Sequence, residues 1–162
     1  MGRVRNRRVD EGTDARLEQL YREHAHRMWR ALLAFTNNTE IASDAVAEAF
    51  AQALRRGDAI RDPERWIWRA AYRIAAGELK ERGRMGAAVI ERSCEIEEPA
   101  LDLIAALAHL SPKQRAAVVL HHAVDLPVAE IATIISSTST AVRVHLSRGR
   151  ARLRERLEDD RD

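Results

Sequence analysis

Apolar side chains recur three and four residues apart through most of this sequence, and no stretch alternates apolar with polar residues at a spacing of two. That pattern confines the chain to helices, since a strand must show period two to put one face on a core. Leu17, Leu20, Tyr21, His24, Met28, Leu32 and Phe35 trace a first amphipathic helix from about Asp14 to Phe35. The run "TNNTE" breaks it, with Thr39 placed to cap a second helix. That helix buries Ala42, Val46, Ala49, Phe50, Ala53 and Leu54, and Gly57 ends it. Asp62 before Pro63 is a cap followed by proline at the first helical position, opening a third helix through Arg82 with Gly83 as the stop.

The segment "RGRMGAAVIERSCEIEEP" carries no sustained stripe, holds two glycines and ends in carboxylates and a proline, so it reads as a linker. Beyond it, Leu101, Ile104, Leu107 and Leu110 mark a short helix, and Ser111 with Pro112 caps another through "KQRAAVVLHHAV". Val128, Ile131, Ala132 and Ile135 form a two-turn stripe, followed by "SST" and a long basic helix. The expected fold is therefore all-α, with two small helical domains joined by a flexible linker, the second a helix-turn-helix domain. Its expected divisions are a basic tail at 1–13, a first domain at 14–83, a linker at 84–100 and a second domain at 101–158.

The net charge is only +2 across 162 residues, but the arginines are gathered. In "SSTSTAVRVHLSRGRARLRERL", Arg143, Arg148, Arg150, Arg152, Arg154 and Arg156 stand against Glu155 alone, so local pairs cannot neutralise the segment. On a helical period, Val142, Leu146, Gly149, Leu153 and Leu157 make one narrow core stripe, while Thr140, Arg143, Val144, Ser147 and Arg148 lie roughly opposite. A short helix, a tight turn and a longer helix with a polar face is the layout whose second helix enters a DNA major groove. Arginine can bind a guanine edge bidentately, and the hydroxyls of Thr140 and Ser147 can reach phosphates or bases. The dipole of the helix accounts for Arg154 and Arg156 near its end, but disfavours Arg143 near its start.

The third helix, "DPERWIWRAAYRIAAGELKER", places Ile67, Ala70, Ala71, Ile74 and Glu78 on one face. Trp68 and Tyr72 sit towards another, among Arg65, Arg69, Arg73 and Lys80. Rings interleaved with cations suit single-stranded nucleic acid, whose bases stack and whose phosphates find the charges. The same rings, and Trp66 above all, also suit a small core with arginine stems lying over them.

Several functions are excluded or unsupported. The lone Cys94 cannot form an internal disulfide framework, and Glu95, Glu97 and Glu98 beside it oppose a reactive thiolate. The basic start "MGRVRNRR" is not followed by an apolar run, and the longest apolar runs, such as Ala116 to Leu120, are far too short to cross a bilayer. A cytoplasmic protein is expected, associated with the nucleoid in use. His24 with His26, and His121 with His122, do not share a helix face, so no metal is expected. No triad, phosphate loop or metal cluster is present in the sequence, so neither a catalytic residue nor a cofactor is assigned, and the chain is not expected to be an enzyme.

Taken together, residues Leu17 to Leu157 resemble the extracytoplasmic-function group of bacterial RNA polymerase sigma factors. "SDAVAEAFAQALRR" is similar to the helix with which the family docks on the clamp of the polymerase largest subunit, and Asp44, Glu48, Phe50 and Gln52 fall on its pattern. "RWIWRAAYRIAAGELKER" resembles the helix that melts and reads the minus-ten element. That resemblance implies DNA contacts from Arg65, Trp68, Arg69, Tyr72, Arg73 and Lys80. "LSPKQR", "EIA" and "LSRGRARLR" resemble the domain that reads the minus-thirty-five element and meets the polymerase flap. There the family's contacts fall on Arg143, Val144, Ser147 and Arg148.

The match also has departures. Arg73 and Gly77 stand where the family has asparagine and then aspartate or asparagine, and neither can accept the hydrogen bonds those residues would. Ser136 replaces a turn glycine, and a left-handed serine costs about 1 kcal/mol or more, which leaves room for a differently shaped turn. The implied function is a promoter-specificity subunit that binds core RNA polymerase and both double- and single-stranded promoter DNA, held in check by an anti-sigma protein. The alternative is a free-standing helix-turn-helix regulator that acts without core polymerase and does not need the second and third helices.

Overall fold

The structure is a computed structural model and describes residues 7–84 and 98–159. The described residues form seven α-helices and one 3-10 turn, with no strand among them. The first helix, α1 (Arg7–Thr36), begins well before the periodic stripe does. It is followed by α2 (Thr39–Arg56), the 3-10 turn Gly57–Ala59 and α3 (Pro63–Arg84). The second half contains α4 (Glu98–Ala108), α5 (Pro112–His122), α6 (Val128–Ile134) and α7 (Ser139–Asp159).

Local chemistry fixes most of these ends. Asn37 adopts φ +51° and its N–H closes on the Leu33 carbonyl at 2.7 Å, ending α1. The cap of α2 is Asn38 rather than Thr39: its side chain accepts the Ile41 N–H at 2.9 Å, and Thr36 braces its backbone. Gly57, at φ +52°, ends α2 as the sequence predicts. Asp62 Oδ1 accepts the Arg65 N–H at 3.2 Å, also as predicted. The helix does not stop at Gly83 but continues to Arg84. Ser111 and Gln114 complete a reciprocal capping box at the start of α5. Of the expected linker, residues 85–97 lie outside the described residues.

α1, α2 and α3 pack on one another around Met28, Leu32, Phe35, Ile41, Ala49, Ile67 and Tyr72. In the second half α5, α6 and α7 enclose Ala117, Leu120, Ile131, Val142 and Leu146. The two sets are continuous, because α1 also packs against α4 and α5, and α3 reaches α6. The Arg27 guanidinium donates to the Ala123 carbonyl, with Nη2 at 2.8 Å, and the Arg115 guanidinium lies 6.0 Å from the Phe35 ring centre. Three residues of the predicted apolar stripes are not covered: Tyr21 and Leu54 are each 51% exposed, and Leu157, near the end of α7, is 37% exposed. A wide helical stripe can leave its edge residues in water, and α2 and α3 are too narrow to cover both edges of α1.

Candidate nucleic-acid interface

The geometry of the helix-turn-helix is set at the turn before α7. Ser136 holds φ +51°, Ser137 N–H closes on the Ala132 carbonyl at 2.9 Å, and Ile135 N–H closes on Ile131 at 3.0 Å. This is the left-handed helix stop that glycine usually supplies, so the turn keeps that shape despite serine. Thr138 then caps α7, its hydroxyl accepting the Ala141 N–H at 3.1 Å. Buried Val142, Leu146 and Gly149 anchor α7 on α5 and α6.

Gly149 sets how near the helices approach. A Cβ on it would lie 2.8 Å from Val118 Cγ2. Two of the arginines bind back across that seam: Arg150 Nε donates to His122 Nε2 at 3.1 Å, and Arg152 Nη1 to Gln114 Oε1 at 3.3 Å. An acceptor role at Nε2 favours the neutral imidazole of His122. Its pKa is lowered by partial burial, helped by Arg150 and His121.

Thr140, Arg143, Val144, Ser147 and Arg148 are all exposed on one side of α7. Arg143, Arg148, Arg154 and Arg156 have no ion-pair or hydrogen-bond partner among the described residues. An open groove of about 500 Å³ runs beside Arg143 and Arg154, lined also by His121, Ser147 and Arg150. The sequence pattern separates the arginines only in part: it identifies the exposed face, but not that Arg150 and Arg152 brace the helix pair.

The third helix needs correction. Trp68 and Tyr72 are 4% and 1% exposed, so in this arrangement neither ring can stack on a base. Tyr72 packs 5.0 Å from the Phe35 ring, because a small three-helix core needs large side chains to fill it. Its hydroxyl is pushed well above its ordinary pKa by burial, with Arg115 pulling the other way. Trp66 is half-buried beneath Arg56, whose guanidinium lies 5.2 Å from the ring centre. Arg73, Gly77 and Lys80 are exposed, whereas Arg65 and Arg69 turn towards α6.

On α2, Asp44 is exposed, and Glu48 and Gln52 are half-exposed and bonded to each other at 2.9 Å. Glu48 also pairs with Arg55 at 2.8 Å. The Gln52 hydrogen bond, then Arg55, lower the Glu48 pKa. Phe50 does not join this surface. It is 6% exposed, beneath the edge of Tyr21, whose ring centre lies 5.0 Å away.

Residues 100–153 match the family model described as sigma-70, region 4. The extracytoplasmic-function RNA polymerase sigma factor SigE of Mycolicibacterium smegmatis is 28% identical over 156 residues, covering 86% of this chain. The chain spans 61% of that relative's length. Among solved structures, the sigma factor RpoE of Bartonella quintana, in complex with the anti-sigma factor NepR, superposes with a TM-score of 0.76 at 20% identity. That match covers 87% of this chain and 96% of the other. The extracytoplasmic-function sigma factor SigJ of Mycobacterium tuberculosis superposes with a TM-score of 0.62 at 25% identity, covering 86% of this chain and 52% of the other.

Proposed function

We propose that this chain, which belongs to the extracytoplasmic-function group of sigma factors, is a promoter-specificity subunit: it joins core RNA polymerase, reads two promoter elements and helps to part the strands. The observation that carries this reading is the division of labour on α7. Arg150 and Arg152 are bound to α5, while Arg143 and Arg148 stand unpaired on the face that a major groove would meet. Thr140, Val144 and Ser147 complete that face, and Arg154 holds phosphate farther along.

The proposed units keep the sequence divisions, a tail at 1–13, a polymerase and minus-ten unit at 14–83, a linker at 84–100 and an upstream-element unit at 101–158, except that α1 reaches back to Arg7, α3 runs on to Arg84 and α4 starts at Glu98. Asp44, Glu48 and Gln52 are the proposed polymerase contacts. Arg65, Arg69, Arg73 and Lys80 are the proposed contacts to the minus-ten strand. The proposed partners are the clamp and flap of core polymerase, promoter DNA and an anti-sigma protein, and the proposed place of action is the cytoplasm, at the nucleoid. Among the described residues no helix is long and apolar enough to cross a membrane. In this reading the chain supplies specificity, and bond formation belongs to the polymerase.

The test is transcription in vitro by bacterial core polymerase with and without the chain, on a library of promoters. Transcripts that require the chain and share an upstream element are expected. Failure to comigrate with core polymerase, together with no chain-dependent transcript, refutes the proposal.

A further inference from the structure

Glu130, in the "EIA" run of α6, has a side chain only 13% exposed and faces α3 rather than the DNA-facing side of α7. Its Oε1 lies 2.6 Å from Arg65 Nη2, and its Oε2 lies 3.3 Å from Arg69 Nη2. A carboxylate held between two guanidiniums presents them with two anionic oxygens, as a nucleic-acid phosphate does. These are two of the four cations that the proposed function gives to the minus-ten strand.

The surroundings of this contact are those of a separable interface. Four buried side-chain polar atoms lack a hydrogen-bond partner among the described residues: Arg69 Nε, Tyr72 Oη, Arg115 Nε and Glu130 Oε2. All four lie where α1 and α3 meet α5 and α6. Buried polar groups are ordinarily satisfied; here Glu130 Oε2 has only the 3.3 Å ion pair with Arg69, outside hydrogen-bond geometry, and the other three have no hydrogen-bond partner, so this contact is less well satisfied than an ordinary core.

We propose that Glu130 is a built-in competitor for nucleic-acid phosphate: its carboxylate occupies Arg65 and Arg69 in the closed arrangement, so α3 engages single-stranded DNA only once the α6 contact is broken. This rests on the reading of α3 as a DNA-binding helix. The second half then holds Arg65 and Arg69 of the first away from DNA without help from another protein. Strand capture by α3 and release of α6 become one linked equilibrium.

The test uses the full chain with Cys94→Ser and fluorophores on Ala47→Cys and Glu155→Cys, at exposed positions of α2 and α7. Energy transfer reports closure, and fluorescence anisotropy reports binding of a thymidine oligonucleotide of about 12 nucleotides. Glu130→Gln keeps the shape of the side chain and removes its charge. It is expected to lower the transfer efficiency and to tighten oligonucleotide binding about 5-fold or more, the usual lower end of coupling between sites. Saturating oligonucleotide should lower the transfer in the unsubstituted protein as well.

Unchanged transfer in Glu130→Gln overturns the proposal, whatever the oligonucleotide does. A fall in transfer with no oligonucleotide bound by either protein instead overturns the reading of α3 as a DNA-binding helix, and the competition with it. Far-UV circular dichroism checks that the variant is folded. If it is not, a sodium chloride titration of the unsubstituted protein decides: transfer that stays constant with salt overturns the proposal.

Discussion

Replacing Gly149 by alanine sets two known effects against each other on the same residue. In a helix interior, alanine is favoured over glycine by about 1 kcal/mol. Against that, the new methyl group would sit 2.8 Å from Val118 Cγ2, with the Gln114 carbonyl oxygen at 3.6 Å and Gln114 Cβ at 3.7 Å behind it. Val118 is β-branched, 6% exposed and within a helix, so its side chain has one strongly preferred rotamer and cannot swing aside. Overpacking of this kind costs about 1 to 3 kcal/mol, so Gly149→Ala should be neutral to about 2 kcal/mol destabilising.

Gly77, in the interior of α3, provides the control, because a Cβ there meets nothing within 4 Å. Gly77→Ala should gain about 1 kcal/mol. Val118→Ala should relieve the clash, giving a coupling with Gly149→Ala of about 0.5 to 3 kcal/mol in a double-mutant cycle. The assay is urea unfolding of the full chain followed by far-UV circular dichroism. If Gly149→Ala stabilises as much as Gly77→Ala, and Val118→Ala shows no coupling to it, the close approach of α5 and α7 is not what the glycine provides.

Phe50→Ala should cost about 3 to 5 kcal/mol of stability, measured by thermal melting, because it opens a cavity beneath Tyr21. Glu48→Arg should leave the melt nearly unchanged and weaken comigration with core polymerase. Arg143→Ala should lose about 1 to 3 kcal/mol at the preferred upstream element and blur the preference there, whereas Arg154→Ala should weaken all sequences alike and reduce the salt slope by about one. Holoenzyme binding to matched and altered elements at several salt concentrations tells them apart. The raised pKa of Tyr72 means that the folded state resists ionisation: its contribution is complete below the ordinary value of 10.0 and falls as pH rises above it. Tyr72→Phe should therefore flatten the loss of stability above about pH 10, read by denaturation at a series of alkaline pH values.

The helices were legible in the sequence because their signals are local. Periodicity, the Asp62–Pro63 start, the Ser111–Pro112 start and the Gly57 stop depend on residues within a few positions of one another. The exposed face of α7 was legible for the same reason, since five neighbouring residues and a heptad-like stripe settle which side is wet. Periodicity placed Phe50 in the buried stripe, where it lies, and only the family resemblance set it on the docking surface. Trp68 and Tyr72 could not be placed so, because an aromatic at the edge of a stripe is covered or bare depending on a helix that arrives from elsewhere. Pairings such as Glu130 with Arg65, or Arg152 with Gln114, join residues 38 to 65 positions apart and leave no pattern in either segment. The serine turn illustrates a third case: the sequence reveals a left-handed position occupied by the wrong residue, but only the backbone tells whether the cost is borne or avoided.

At 30 residues, α1 is about 45 Å long. It lies along both sets of helices, with α2 and α3 on one part and α4 and α5 on another. A boundary drawn through the linker in the sequence is therefore not a boundary in heat. While the halves are joined, melting either one strips apolar cover from α1 and draws the other with it, so the chain should absorb heat in a single cooperative peak. Once they part, the same helix belongs to the first unit alone, and α4 and α5 must hold the second together with less buried surface than they had. In that state the second unit should be the weaker of the two, and any surface that takes the place of α1 against α4 and α5 should restore the stability it lost.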